Sequence, residues 1–567
     1  MTDVSPDFMD LSKKVAEKFL HTVVIVDDQA EFGEEVLPKP KTGLQKPPKT
    51  GGREEEQSGS EAGIHRLDAK KVMYLFASKG LICSVLKPNE GENPLSIVER
   101  AAKRADVFIL DWKIHNDDGA IAIKIISSLI SSDLKNNNPR LRLIIIYTGE
   151  NGIIQISEKI KDKFSLKICG DDCFTLSEGH LHIAIFAKYG TKVPQQYEKR
   201  VLSIEDLSEQ LSVEFAKITS GLVSNVVLES MSVLRDNTHI ILSKLGPEMD
   251  PPYLAHRALL PNPDDATNHV IDIIASEFHS FLENHEIGEK ADINAINAWL
   301  KIKNSFILKT PWDDIEFDYS EVCELQRIGI EQSDWFKGLT GNKQQKITAN
   351  AHKTLTQTFC NDKLSPIELD FKFAMLTSLK NRQGEDLRNP ILTLGTILSN
   401  ALNSSKDYGN FWLCLQPRCD CTRIEEKRKF FFLPLKEVDG DKSFDIILEF
   451  DDYTELKLDC ETYEILPYIE YGNENTFDII LNDCKFIKLK INYNTYDTSH
   501  FEFSSKGSEQ VIRAEKERNH FFFYTIDRTK FRWISELKNE HAQRIANDFS
   551  AKLSRVGLDE SEWLRRY

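Results

Sequence analysis

Across the first 190 residues, short apolar runs alternate with segments of helical periodicity, and no other feature of the chain restricts its fold as much. The runs are TVVIV (22–26), LICSVL (81–86), VFILDW (107–112), LRLIIIY (141–147) and HIAIFAK (182–188). Each is continuously apolar and rich in β-branched residues, as strands covered on both faces are. Between them, 66–79, 93–105, 119–134 and 151–164 carry apolar residues at three- and four-residue spacing, as does 7–20 ahead of the first run. Strand and helix in strict turn predict a doubly wound α/β domain built on a parallel sheet. One stretch breaks the rhythm. Residues 35–63, rich in Pro, Gly, Lys and Glu, have too few apolar groups to pack and predict a disordered insertion.

Open parallel sheets bind ligands beyond the carboxyl ends of their strands. Asp27 and Asp28 follow the first run, Asp111 follows VFIL, Thr148 follows LIIIY, and Lys188 ends IAIFA. Carboxylates gathered at one place resist ionising together unless a cation joins them. Mg²⁺ suits such a site because it prefers oxygen ligands and keeps several waters. The hydroxyl and the ammonium suit a phosphoryl group.

This ordered set resembles the receiver domains of two-component signalling. VVIVDDQ fits the first strand with its acidic pair. DWKIHNDDG (111–119) is similar to the phosphoacceptor signature, an Asp with Gly eight residues later. IIIYTG (144–149) and IFAKYG (185–190) fit the strands ending in the family's Thr and Lys. The resemblance covers about residues 20–195 and implies a flavodoxin-like fold. It also implies that Asp111 accepts phosphate from a histidine kinase or a kinase-like ATPase. Mg²⁺ would sit on Asp27, Asp28, Asp111 and the backbone carbonyl of Lys113, while Thr148 and Lys188 hold phosphoryl oxygens. Phe186 takes the place of the aromatic that moves with the Thr. The chain departs from the family at His115, where Pro is usual, and at Tyr189, where a cis-Pro bond is common. The 40 residues from Thr148 to Lys188 predict an added hairpin before the last strand, at strand-like CFTLS (173–177).

The remaining two thirds carry no motif that names an activity. Residues 196–303 read as helical, 304–428 as mixed and mostly helical with a break at Pro390, and 429–567 as β-rich with antiparallel strands and a helical tail from 530. With the receiver-like 1–195, that makes four segments. A formal net charge of −17 argues against nucleic acid as a partner, since phosphate backbones are repelled. No apolar run approaches the roughly 18 residues of a membrane span, and no signal peptide is visible, so the expected location is the bacterial cytoplasm, with the cysteines reduced. Cys414, Cys419 and Cys421 are spaced C-x4-C-x-C, which suits buried thiols better than zinc, whose ligands come as spaced pairs. The expected function is a phosphorylation-controlled response regulator, not an enzyme beyond its own phosphoryl chemistry, whose C-terminal region binds a partner protein. Two other readings stay open: a receiver-regulated enzyme with its site in 304–567, near Cys419 and Asp420, and a degenerate receiver used as a scaffold.

Overall fold

A strand in the middle of a parallel sheet meets helices on both faces, so every side chain along it is buried. The computed structural model has this property in β1 (Thr22–Val26), β5 (Val107–Leu110), β6 (Arg142–Thr148) and β9 (Leu181–Lys188), whose residues are buried almost without exception. β4 (Ile82–Leu86) lies at the edge and is only partly covered. The structure describes residues 6–33, 66–89, 95–134, 141–338 and 355–554. It omits 103, 116, 170–171, 179–180, 261–262, 264, 302–305, 310–313, 361–364, 381–387, 401–409, 439–442, 460–468, 472–475, 494–496, 506–509 and 518–519 within those ranges. The expected insertion at 35–63 lies outside the described residues.

The chain forms two compact units, Met1–Ile307 with Ile315–Gln345, and Leu308–Asp314 with Lys346–Tyr567. In the first, the sheet runs β4-β1-β5-β6-β9, all parallel. It continues through an antiparallel hairpin, β7 (Lys167–Ile168) and β8 (Thr175–Glu178), so the extra residues before the last strand do form the added hairpin. β2 (Ala30–Glu31) and β3 (Leu67–Asp68) make a small separate pair on either side of the insertion. A short β10 (Val201–Leu202) pairs beside the end of β9.

Helices cover both faces. On one, α3 (Leu95–Ala102), α4 (Ala120–Leu134) and α5 (Ile153–Phe164) bury Val98, Ile125, Ile126, Ile156 and Ile160 against the sheet. On the other, α1 (Pro6–Phe19), α2 (Ala69–Ser78) and α6 (Ile204–Thr219) supply Val15, Val72, Phe76, Leu207, Leu211 and Phe215. The expected boundary at 195 therefore falls inside this core, because α6 is one of its covering helices. α6 opens on a capping box: Ser203 accepts from the Asp206 N–H at 3.1 Å, and Asp206 answers toward the Ser203 backbone. α7 (Leu222–Asp236), α8 (Thr238–Lys244), α9 (Asp250–Leu259), α10 (Asp265–Asn284) and α11 (Ile293–Leu300) follow, as the helical reading of 196–303 anticipates. α8 and α9 bury no residue, and α10 buries only Ala266.

The second unit is a ten-stranded sheet with antiparallel pairings. One face is closed by the helix Asn539–Ser554 through Ala542, Ile545 and Phe549. The other holds an aromatic layer of Phe430, Phe432, Phe503, Phe523 and Phe531. Two expectations are corrected here. The sheet begins at Thr396–Ser399 and Phe411–Cys414, inside the segment read as mostly helical. Residues 530–536 form a strand, not the start of a helical tail. FRWIS is aromatic and β-branched, and it places Phe531 and Trp533 on the aromatic face, which outweighs any helical spacing.

A buried charge fastens α6 to the sheet. Glu214 is fully buried, accepts from Lys217 Nζ at 2.7 Å and Gln210 Nε2 at 2.9 Å, and lies 3.7 Å from His182 Nε2 on β9. Burial alone would raise its pKa, but His182, Lys217 and Gln210 outweigh it and hold the carboxyl at about 2. The folded pKa lies below the unfolded one, so the stabilisation is present above pH 4.5 and is lost as pH falls toward 2. Urea unfolding followed from pH 7 to pH 2.5 is expected to show an acid loss of roughly 3 kcal/mol from this group, absent in Glu214→Gln.

Candidate functional site

The carboxyl ends of β1, β5 and β9 deliver their last residues to one place because the strands run in register. Val26 pairs with Leu110, Leu110 with Ile146, and Thr148 with Ala187. Asp27, Asp111 and Lys188 thus emerge side by side, each at least nine-tenths buried. Lys188 Nζ donates to Asp27 Oδ2 at 2.7 Å and to Asp111 Oδ2 at 2.5 Å. Asp28 completes the group, with one oxygen from each of Asp27, Asp28 and Asp111 lying within 4.8 Å of the others. Among the described residues this is the one cluster of three or more His, Cys, Asp or Glu able to hold a metal ion.

The Lys188 ammonium between the Asp27 and Asp111 carboxylates sets the electrostatics of the buried group. Burial pushes the Asp111 carboxyl up, Lys188 opposes this and Asp27 adds to it, leaving the pKa at about 6. Asp111 is thus mainly ionised at neutral pH. Burial works against the Lys188 charge, but Asp111 and Asp27 outweigh it and raise the ammonium above its ordinary value.

The loop after β5 is braced locally. Asp117 accepts from the N–H groups of Ile114 and Gly119, each at 3.2 Å, and of Ile121 at 2.6 Å, which caps α4. Gly119 has φ of 80°, and a Cβ there would stand 2.2 Å from the Trp112 ring. The Gly eight residues after Asp111 is thus required twice, by backbone and by space. Lys113 donates its N–H to Asp111 Oδ1 at 3.4 Å and turns its ammonium to Glu150 at 3.3 Å. A cavity of about 420 Å³ opens beside the site between Trp112, Lys113, Asp117, Glu150 and Lys159.

Thr148 is fully buried at the end of β6, and its hydroxyl accepts from the Glu150 N–H at 3.3 Å. Phe186 is buried, with the Arg200 guanidinium 4.9 Å from its ring. Next to Thr148, Tyr147 donates its hydroxyl to the Leu202 carbonyl at 3.0 Å. Sequence reasoning missed His115, which reaches Asp28: its N–H donates to Asp28 Oδ2 at 2.7 Å. A loop histidine carries no signal of that contact. The other cluster singled out from sequence gathers no metal-holding group among the described residues. Burial raises the Cys414 thiol well above its ordinary value and the Cys421 thiol to about 12, so both are neutral, while Cys419 is exposed.

Residues 19–193 match a protein-family model described as the response receiver domain. With the strand order and the acidic group at the strand ends, this stretch is a receiver domain, and the chain is in general terms a phosphorylation-regulated signalling protein. No curated protein and no solved structure matches the chain. No helix among the described residues is long and apolar enough to cross a membrane.

Removing the one ammonium leaves two buried carboxylates facing each other. Lys188→Ala is therefore expected to cost about 3–5 kcal/mol in urea unfolding at pH 7. Adding Asp111→Asn should recover much of that, and a double mutant no more stable than the single one would refute the charge argument.

Proposed function

We propose that the chain is a response regulator whose receiver takes a phosphoryl group on Asp111 and thereby switches the binding of a partner protein by the regions that follow. The observation that carries this reading is the buried Asp111 carboxylate held by Lys188 beside Asp27 at the strand ends. An Asp111 oxygen forms the new bond to phosphorus, while the bond from phosphorus to the donor nitrogen breaks. The electron pair leaves with the donor imidazole, which then takes a proton. Lys188 stays beside the transferred group and pairs with one of its oxygens, and the Thr148 hydroxyl donates to another. The donor is a histidine kinase or a kinase-like ATPase, and the setting is a bacterial cytoplasm.

A divalent cation fits the residues present. Lys188 pairs with Asp27 and Asp111 and leaves Asp28 without an ammonium, and Asp28 Oδ1 is buried without a hydrogen-bond partner among the described residues, which is the oxygen-rich, under-neutralised setting Mg²⁺ takes. Asp27, Asp28, Asp111 and the Lys113 carbonyl would hold it. When bound it supplies positive charge against the negative charge of the phosphoryl group.

Support for a protein partner comes from the helices after the receiver sheet. Leu254 and Leu259 on α9 and Ile271 on α10 are 60%, 84% and 58% exposed, apolar side chains that a protein partner would cover. We assign no catalysis to the chain beyond phosphoryl uptake and release by the receiver.

Incubation with acetyl phosphate or a partner kinase and Mg²⁺ is expected to label the wild type and leave Asp111→Asn unlabelled, read by intact-mass spectrometry. Equal labelling of both would move the acceptor elsewhere, and none in the wild type would end the switch reading.

A further inference from the structure

His115 stands where receivers usually carry Pro, and its backbone is left-handed, with φ of 54°. Non-glycine residues adopt that conformation only where their surroundings hold them in it. Turned this way, the His115 N–H meets Asp28 Oδ2 at 2.7 Å, and the ring Nδ1 lies 3.8 Å from the same oxygen. The other oxygen, Oδ1, is buried and accepts nothing from the described residues. A proline could not make this contact, since it has no N–H and its φ is fixed near −65°.

We propose that His115 is the positioning residue for the Asp28 carboxylate: its backbone N–H occupies Oδ2 and so commits Oδ1 to the divalent cation. This rests on the cation reading above and adds to it a division of labour between the two oxygens. Asp27 and Asp111 are oriented by Lys188, which donates to these two carboxylates and not to Asp28. The third carboxylate therefore needs its own anchor, and a hydrogen bond to a charged group is strong enough to serve. The chain's departure from the usual signature is, in this light, an exchange of a stiff residue for a donor. The imidazole is secondary and the backbone is what matters.

The test uses Mn²⁺ as a paramagnetic stand-in for Mg²⁺, titrated into the full chain. Free Mn²⁺ is read by electron paramagnetic resonance, and Mg²⁺ then competes it away. His115→Gly keeps the N–H and accepts positive φ, so it should bind within about threefold of wild type. His115→Pro loses both and should weaken binding by about tenfold to a hundredfold. His115→Ala also keeps the N–H, at a φ that the histidine already adopts, and should likewise bind within about threefold of wild type. Thermal unfolding without metal separates lost affinity from lost fold. If His115→Pro does not fold, the Gly and Ala variants decide: both keep the N–H, so a loss of tenfold or more in both would put the positioning on the imidazole and overturn the proposal. Asp27→Asn tells the two readings apart. If it binds Mn²⁺ as wild type does, the acidic cluster does not hold the cation and both readings fall. If it weakens binding while His115→Pro matches wild type, the cation reading stands and the positioning role is lost.

Discussion

One ammonium between two buried carboxylates organises the receiver. Lys188 satisfies Asp27 and Asp111 together, and those three residues come from strands far apart in the chain. A buried charge left alone is costly, so the three stand or fall as a group. Their meeting demands that β1, β5, β6 and β9 end level with one another, which the register of the sheet provides. The continuous burial of those strands is the support beneath the site, and the site is the reason their ends carry polar residues at all.

The same arrangement leaves a surplus of negative charge. Lys188 answers only two of the three carboxylates, and the oxygen of Asp28 that has no partner among the described residues marks where the deficit lies. A folded protein tolerates such an imbalance mainly where a ligand corrects it. Burial first, and Asp27 beside it, raise the Asp111 pKa against the pull of Lys188.

How far the sequence could be read follows from how local each signal is. The strands of the receiver were legible because burial on both faces writes itself as an unbroken apolar run, and Asp27, Asp28, Asp111, Thr148 and Lys188 were legible because each directly follows one. Gly119 was legible as a signature position, although only the Trp112 ring explains the space it needs. The His115 contact was not, since it depends on a φ that no neighbouring residue announces. The extent of the core was hidden for another reason. α6 looks like any amphipathic helix, and only its packing on Val15, Val72 and Phe76 makes it part of the receiver's own cover. The β-rich half was misjudged at its ends, where Thr396–Ser399 and Phe411–Cys414 are four residues each, too short for a period to register, and where FRWISE pairs with partners more than a hundred residues earlier.

The pairing of β10 with β9 bears on how news of a phosphoryl group leaves the domain. Leu202 is the register partner of Lys188, and the Leu202 carbonyl is also held by Tyr147, the neighbour of Thr148. Ser203, the very next residue, starts α6. The outgoing chain therefore departs one strand spacing, about 5 Å, from the backbone of Lys188. A shift of β6 or β9 would have no intervening domain to cross before reaching the first turn of the helix that leads out.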